Sequence, residues 1–124
     1  MVKKKILIVD DEANITDMLK MSLAKAGGFD VRVVNKGANA VKAARDFQPD
    51  LIFLDVMMPD LDGGEVANLI KADPAVSDIP IVFMTAAVTK DEVDSQESTI
   101  GGYPFLAKPV SLQEIIACIR KFAK

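Results

Sequence analysis

The sequence predicts a doubly wound α/β domain, in which helices cover both faces of a five-stranded parallel sheet. Two observations lead to this prediction. Short, continuously apolar runs alternate along the chain with longer segments whose apolar residues recur at helical spacing. Strands that are apolar on both faces are typical of a parallel sheet that is covered by helices on each side. Half of the 124 residues are hydrophobic and no linker divides the chain, so one domain with one core is expected.

The first three elements follow from short-range patterns. The run 5–9 (KILIV) is too short for a helix and is flanked by charge, so it predicts a buried strand. Helical spacing of apolar residues follows over 13–26, and Gly27–Gly28 ends that helix. The run 29–34 (FDVRVV) is more polar, which suits a strand at the edge of the sheet.

The middle of the chain continues the alternation. Residues 37–47 place four apolar side chains on one helical face, and the run 50–55 (DLIFLD) predicts the third strand. Asp62 and Glu65 have the spacing of a capping box, which opens a third helix of about ten residues. Asp60 is interpreted as a turn residue.

A fourth strand and a weaker fourth helix come next. The run 80–85 (PIVFMT) predicts the strand. Thr89 and Glu92 have the spacing to cap a helix, but Val93 is the single large apolar side chain in its body. A helix so polar is marginal or mobile.

The last two elements complete the pattern. The run 103–108 (YPFLAK) predicts the fifth strand, and Pro104 places it at a sheet edge because proline cannot donate to a ladder. Ser111 and Glu114 then cap a helix with apolar residues on its inner side. The resulting strand order is 2-1-3-4-5, as in flavodoxin-like sheets.

Polar side chains stand at the carboxyl ends of four of these strands. The first, third, fourth and fifth strands are neighbours in the predicted order, and ligands of open parallel sheets bind beyond the carboxyl ends. The side chains that reach this edge are Asp10, Asp11, Asp55, Thr85 and Lys108. Each alone has an ordinary explanation as a turn former, helix cap, strand end or surface lysine. Their joint placement favours a functional site.

The chemistry of this set predicts a metal ion and phosphoryl transfer. Three neighbouring carboxylates raise one another's pKa, and a hard divalent cation relieves that repulsion. Mg²⁺ takes oxygen ligands, so Asp10, Asp11 and Asp55, with a backbone carbonyl nearby, suit it. Asp55 would attack phosphorus, while Lys108 and Thr85 stabilise charge on the phosphoryl oxygens.

Composition excludes several other classes. The chain has no histidine, which argues against most zinc sites, histidine bases and an internal phosphohistidine. A net charge of −3, with no basic stripe beyond Lys3–Lys5, argues against direct nucleic-acid binding. No apolar run has membrane length, and the single Cys118 cannot form an internal disulfide. A cytoplasmic protein without a membrane segment is expected, and the six methionines are expected to serve packing.

Four segments resemble the receiver domain of bacterial two-component response regulators, in spacing and in order. They are ILIVDDE (6–12), PDLIFLDVMMPDLDGGE (49–65), IPIVFMTA (79–86) and FLAKP (105–109). The resemblance covers essentially the whole chain, 1–124, and implies a receiver domain with no output domain in this chain. It implies a signalling switch rather than an enzyme, since such a domain turns over only its own phosphoryl group.

The resemblance also implies roles for individual residues. Asp55 would take a phosphoryl group from a phosphohistidine on a sensor histidine kinase or histidine phosphotransfer protein. Asp10 and Asp11 would bind Mg²⁺ together with the backbone carbonyl of Met57.

The resemblance implies two switch residues, a phosphate-pairing lysine and a cis peptide bond as well. Thr85 would swing toward the phosphoryl group, and Phe105, the switch aromatic, would turn inward with it. Lys108 would pair with the phosphoryl oxygens, and its bond to Pro109 is expected to be cis. The predicted fourth helix, fifth strand and fifth helix would then repack for an unidentified downstream protein. Whether the phosphorylated form dimerises is left open.

Two other functions remain as alternatives. One is a Mg²⁺-dependent phosphohydrolase with an aspartyl nucleophile. Those of the haloacid-dehalogenase type carry a second Asp two residues after the nucleophile, where this chain has Met57. A nucleotide- or flavin-binding protein would need a glycine-rich loop after the first strand, where this chain has DDEAN. The receiver therefore ranks above both.

Overall fold

The computed structural model describes residues 3–86, 99–100 and 102–124, and its strands form one sheet in the order β2-β1-β3-β4-β6-β5. The strands are β1 (Lys4–Val9), β2 (Phe29–Val34), β3 (Leu51–Asp55), β4 (Ile81–Thr85), β5 (Thr99–Ile100) and β6 (Tyr103–Ala107). The helices are α1 (Ala13–Ala26), a 3₁₀ turn (Gly37–Asn39) that leads into α2 (Ala40–Phe47), α3 (Gly63–Ala72) and α4 (Leu112–Phe122). The helix predicted from Thr89 lies outside the described residues, so α4 denotes the C-terminal helix.

The predicted parallel sheet is confirmed. β1 pairs with β2 and β3, β3 with β4, and β4 with β6, all in parallel. The more polar β2 lies at one edge, as its composition predicts. The fifth predicted strand, β6, is not the edge strand that Pro104 predicts, because β5 adds two antiparallel residues beyond it, with Thr99 opposite Pro104. Tyr103 packs edge-to-face on Phe83, with ring centroids 5.4 Å apart, and so helps to hold the start of β6 on the sheet.

The core consists of two apolar layers, one on each face of the sheet. Alternate residues of β1 point to opposite faces of the sheet. Leu7 and Val9 pack in the layer with α2 and α3. Ile6 and Ile8 pack in the layer with α1 and α4. All four side chains are fully buried. Each contributes roughly 1.5–3 kcal/mol by leaving water, which explains why the strands are continuously apolar.

The helix caps predicted at Ser111 and Asp62 are present, and the one predicted at Thr89 lies outside the described residues. Ser111 and Glu114 form a complete capping box at the start of α4, with both hydrogen bonds at 3.1 Å. Asp62 Oδ1 accepts a hydrogen bond of 2.9 Å from the Glu65 N–H at the start of α3. These bonds satisfy donors that the first turn of a helix leaves without partners.

The expectation that the methionines serve packing is wrong for three of them. Met18, Met21 and Met57 are 56%, 61% and 65% exposed. The buried stripe of α1 runs through Thr16, Leu19 and Leu23, and a helix of this length buries one stripe. Met18 and Met21 therefore face solvent. No helix among the described residues has the length and apolarity that a membrane span requires.

Candidate functional site

The topology brings the predicted site residues to one edge of the sheet. β1, β3, β4 and β6 are parallel neighbours, so their carboxyl ends meet. Asp10 follows β1, Asp55 ends β3, Thr85 ends β4 and Lys108 follows β6. Asp10, Asp55 and Thr85 are buried, which is unusual for polar side chains at a strand end.

Three carboxylates form the centre of the site. One oxygen from each of Asp10, Asp11 and Asp55 lies within 4.8 Å of the other two. Asp10 Oδ1 accepts a hydrogen bond of 3.0 Å from the Glu12 N–H. Its other oxygen, Oδ2, is buried and lies 2.7 Å from Lys108 Nζ. Three convergent carboxylates fit a hard cation such as Mg²⁺.

Lys108 supplies the positive charge of the site. The distances from its Nζ are 2.7 Å to Asp10 Oδ2, 3.2 Å to Glu12 Oε1 and 3.4 Å to Asp55 Oδ1. Burial lowers the pKa of Lys108, but Asp10, Asp55 and Glu12 outweigh it, so the net shift is upward. The lysine is therefore protonated at neutral pH, and three carboxylates balance its charge.

Burial changes the acidity of Asp55. Its pKa rises from the usual 3.8 to about 6, first because the carboxyl group is buried and second because Asp10 repels its charge. Lys108 and the Met57 N–H, which lies 3.3 Å from Asp55 Oδ1, act in the opposite direction. Ionised Asp55 is thus disfavoured by the folded protein when no metal is bound.

Asp55→Asn is expected to stabilise the metal-free protein at neutral pH, by on the order of 1–3 kcal/mol. The unfolded chain ionises Asp55 near pH 3.8, whereas the folded protein does so near pH 6. The wild type therefore loses stability as the pH rises through this window, and the asparagine variant does not. Urea unfolding in EDTA at pH 3.5 and pH 7.5 measures the difference. An equal gain at both pH values would contradict this explanation.

The residues predicted to act as a switch lie on β4 and β6, whose carboxyl ends meet at the same edge of the sheet. Thr85 pairs in register with Ala107, and its carbonyl accepts a hydrogen bond of 2.8 Å from the Lys108 N–H. The bond between Lys108 and Pro109 is cis. Phe105 is buried and packs in the layer on the α3 side of the sheet. The backbone thus links Thr85 and Lys108 directly.

Three residues of the site were not predicted from the sequence. Glu12 forms an ion pair with Lys108, and its position directly after Asp10 and Asp11 was the sequence feature that could have indicated it. Asn35 Nδ2 donates to the Asp10 carbonyl at 2.8 Å and to Thr16 Oγ1 at 3.0 Å, which fixes the end of β1 against α1. Asp60, interpreted above as a turn residue, accepts hydrogen bonds from two backbone N–H groups in the turn after β2. No sequence signal pointed to the last two contacts.

Comparison with known proteins identifies related chains. The family model of the response regulator receiver domain matches residues 6–120. The DNA-binding response regulator MtrA of Mycolicibacterium paratuberculosis is 38% identical over 120 residues, which are 96% of this chain and 51% of that protein. This chain spans about half the length of the curated relatives that it matches.

Solved structures have the same fold. The N-terminal domain of a response regulator receiver protein from Methanoculleus marisnigri is 32% identical, with a TM-score of 0.70 and 94% of each chain covered. The chemotaxis protein CheY4 of Vibrio cholerae has a TM-score of 0.81, covering 98% of this chain and 99% of that one. Its sequence identity to this chain is 24%, so this second similarity supports the fold alone.

Proposed function

We propose, on the premise that this chain belongs to the response regulator receiver domain family, that Asp55 accepts a phosphoryl group from a phosphohistidine of a partner protein. Receiver domains are the signalling modules of two-component systems, and response regulators interact with histidine kinases. The observation that carries the proposal is the buried Asp55 carboxylate, which lies beside two further carboxylates and 3.4 Å from Lys108 Nζ.

The acidic site suits the metal that this family uses. Asp10, Asp11 and Asp55 would hold Mg²⁺, together with the backbone carbonyl of Met57. When bound, this ion supplies Lewis-acid stabilisation of the charge on the phosphoryl oxygens. The convergence of the three carboxylates supports the assignment, because one oxygen of each lies within 4.8 Å of the others and a cation relieves their mutual repulsion.

The transfer step follows from the residues present. A carboxylate oxygen of Asp55 attacks phosphorus, a P–O bond forms, and the P–N bond to the partner's histidine breaks. The leaving imidazole keeps the electron pair of that bond and takes up a proton. Lys108 pairs with a phosphoryl oxygen, and the Thr85 hydroxyl donates a hydrogen bond to another.

Phosphorylation would then act as a switch. It adds close to two negative charges at the sheet edge, which attract Lys108 and Thr85. The Lys108 N–H donates a hydrogen bond to the Thr85 carbonyl, so the two residues would move together. Phe105 would then turn into the space that the Thr85 side chain leaves. The predicted fourth helix, β6 and α4 would repack and present a new surface to a downstream protein.

The same residues favour a switch over a hydrolase. A phosphohydrolase would need a general acid near Asp55 to protonate the leaving oxygen. The residue two positions after Asp55 is Met57, whose side chain is apolar and exposed. We therefore propose that the chain turns over only its own phosphoryl group. We also place it in the cytoplasm, without direct contact to nucleic acid from these 124 residues.

Intact mass spectrometry tests the proposed function. The wild-type chain is incubated with a small acyl phosphate and Mg²⁺, and in parallel with EDTA. We expect a gain of one phosphoryl group with Mg²⁺ and none with EDTA. Continuous release of phosphate from aryl phosphates, without a labelled protein, would support the hydrolase instead. No gain from the acyl phosphate or from a phosphorylated histidine phosphotransfer protein would contradict the proposal.

A further inference from the structure

One carboxylate fastens the loop between β3 and α3 to the turn after β2. Asp60 Oδ1 accepts a hydrogen bond of 3.2 Å from the Gly37 N–H, and its Oδ2 accepts one of 3.0 Å from the Ala38 N–H. The partners are more than twenty residues apart in sequence, so these bonds join two separate segments. They also lower the pKa of Asp60, the Ala38 N–H most strongly, so the side chain is ionised.

The two segments are in close contact where Asp60 joins them. A Cβ at Gly37 would lie 2.9 Å from the Leu61 carbonyl oxygen and 3.1 Å from Leu61 Cβ. The loop therefore rests directly on the turn, and the short Asp60 side chain reaches the backbone N–H groups from there.

The loop has further anchors, among them the Met58 side chain, which is buried in the core on the α3 side of the sheet. The Met57 N–H donates to Asp55 Oδ1 at 3.3 Å, and the Gly63 N–H donates to the Val56 carbonyl at 2.8 Å. The Met57 side chain is 65% exposed, so packing does little to hold this residue. Asp55, the buried Met58 side chain and Asp60 therefore all hold the backbone around Met57, and Asp60 does so from the turn after β2.

We propose that Asp60 is a positioning residue for the metal site: by holding the loop on the Gly37–Ala38 turn, it keeps the Met57 carbonyl where Mg²⁺ binds. The inference rests on the proposed function, in which that carbonyl is a ligand. Groups that orient metal ligands without touching the metal commonly change affinity by one or two orders of magnitude.

Calorimetric titration with Mg²⁺ tests the proposal on Asp60→Ala, Asp60→Asn and Asp73→Ala. We expect Asp60→Ala to raise the Mg²⁺ dissociation constant by about tenfold. Asp60→Asn keeps one acceptor oxygen but loses the charge, so its constant should lie between those of Asp60→Ala and the wild type. Asp73 accepts a hydrogen bond of 2.9 Å from the Ala75 N–H at the far end of α3. Asp73→Ala, which removes an equal charge there, should leave the constant unchanged.

Thermal unfolding of the same variants in EDTA, without Mg²⁺, distinguishes a positioning role of Asp60 from a general effect on stability. A lower melting temperature for Asp60→Ala with an unchanged Mg²⁺ constant would overturn the inference and leave the proposed function intact. Equal weakening by Asp60→Ala and Asp60→Asn would also overturn it, because the lost charge alone would then explain the effect. A wild-type chain that binds no Mg²⁺ would overturn the inference together with the metal site of the proposed function.

Discussion

Asp55→Asn is expected to take up no phosphoryl group under any condition in which the wild type is labelled. The amide is nearly the same size as the carboxylate, but its nitrogen lone pair is delocalised and its oxygen carries no full negative charge. It therefore cannot supply the nucleophile that the transfer needs. Asp10 and Asp11 stay in place, and neither is proposed as the nucleophile, so neither is expected to accept the group instead.

Two controls make this result specific. The variant should be at least as stable as the wild type at pH 7.5 in EDTA, so unfolding would not explain the loss. Asp73→Asn changes a carboxylate at the opposite end of α3, where Asp73 pairs with Arg45 at 3.4 Å, and should be labelled like the wild type. Wild-type labelling of Asp55→Asn would show that the acceptor is another residue.

Gly63→Ala is expected to destabilise the protein by about 2–4 kcal/mol and to slow phosphorylation. An added Cβ would lie 2.5 Å from the Asp55 carbonyl oxygen and 2.8 Å from Val56 Cα. Both are backbone atoms, so the clash cannot be relieved by rotating a side chain. The start of α3 must move away from the end of β3, which displaces the acceptor carboxylate as well.

Gly64→Ala is the matched control for this prediction. Its added Cβ meets only Asp62 Oδ1, at 3.3 Å, and the residue lies in the first turn of α3. Alanine has the higher helix propensity, so this variant should be neutral or more stable by up to about 1 kcal/mol. Chemical denaturation of both variants in EDTA provides the comparison. Equal midpoints for Gly63→Ala and the wild type would contradict the close approach of α3 to β3.

The parts of the fold that could be predicted are those set by local patterns. β3 is apolar at every position but its last, and all five of its side chains are buried, as expected for the centre of a covered parallel sheet. The candidate site could be predicted for a related reason. Asp10, Asp55 and Thr85 directly follow or end apolar strands, so the strand order alone brings them together.

What could not be predicted depends on contacts between distant segments. β5 has two residues and exists through its pairing with β6, which no local pattern encodes. Asn35 and Asp60 look like ordinary turn residues until the fold brings them to Asp10 and to Gly37. Met18 is one of the apolar residues at helical spacing in 13–26, yet it is exposed, whereas the polar Thr16 is buried.

Chemical mapping of the phosphorylated residue tests the central claim most directly. Borohydride reduces an aspartyl phosphate to homoserine, and peptide mass spectrometry then locates that residue in the chain. After labelling with a small acyl phosphate and Mg²⁺, we predict homoserine at position 55 and nowhere else, and none when EDTA is present. Homoserine at position 10 or 11, or a labelled protein that yields no homoserine, would contradict the account of Asp55 as the acceptor.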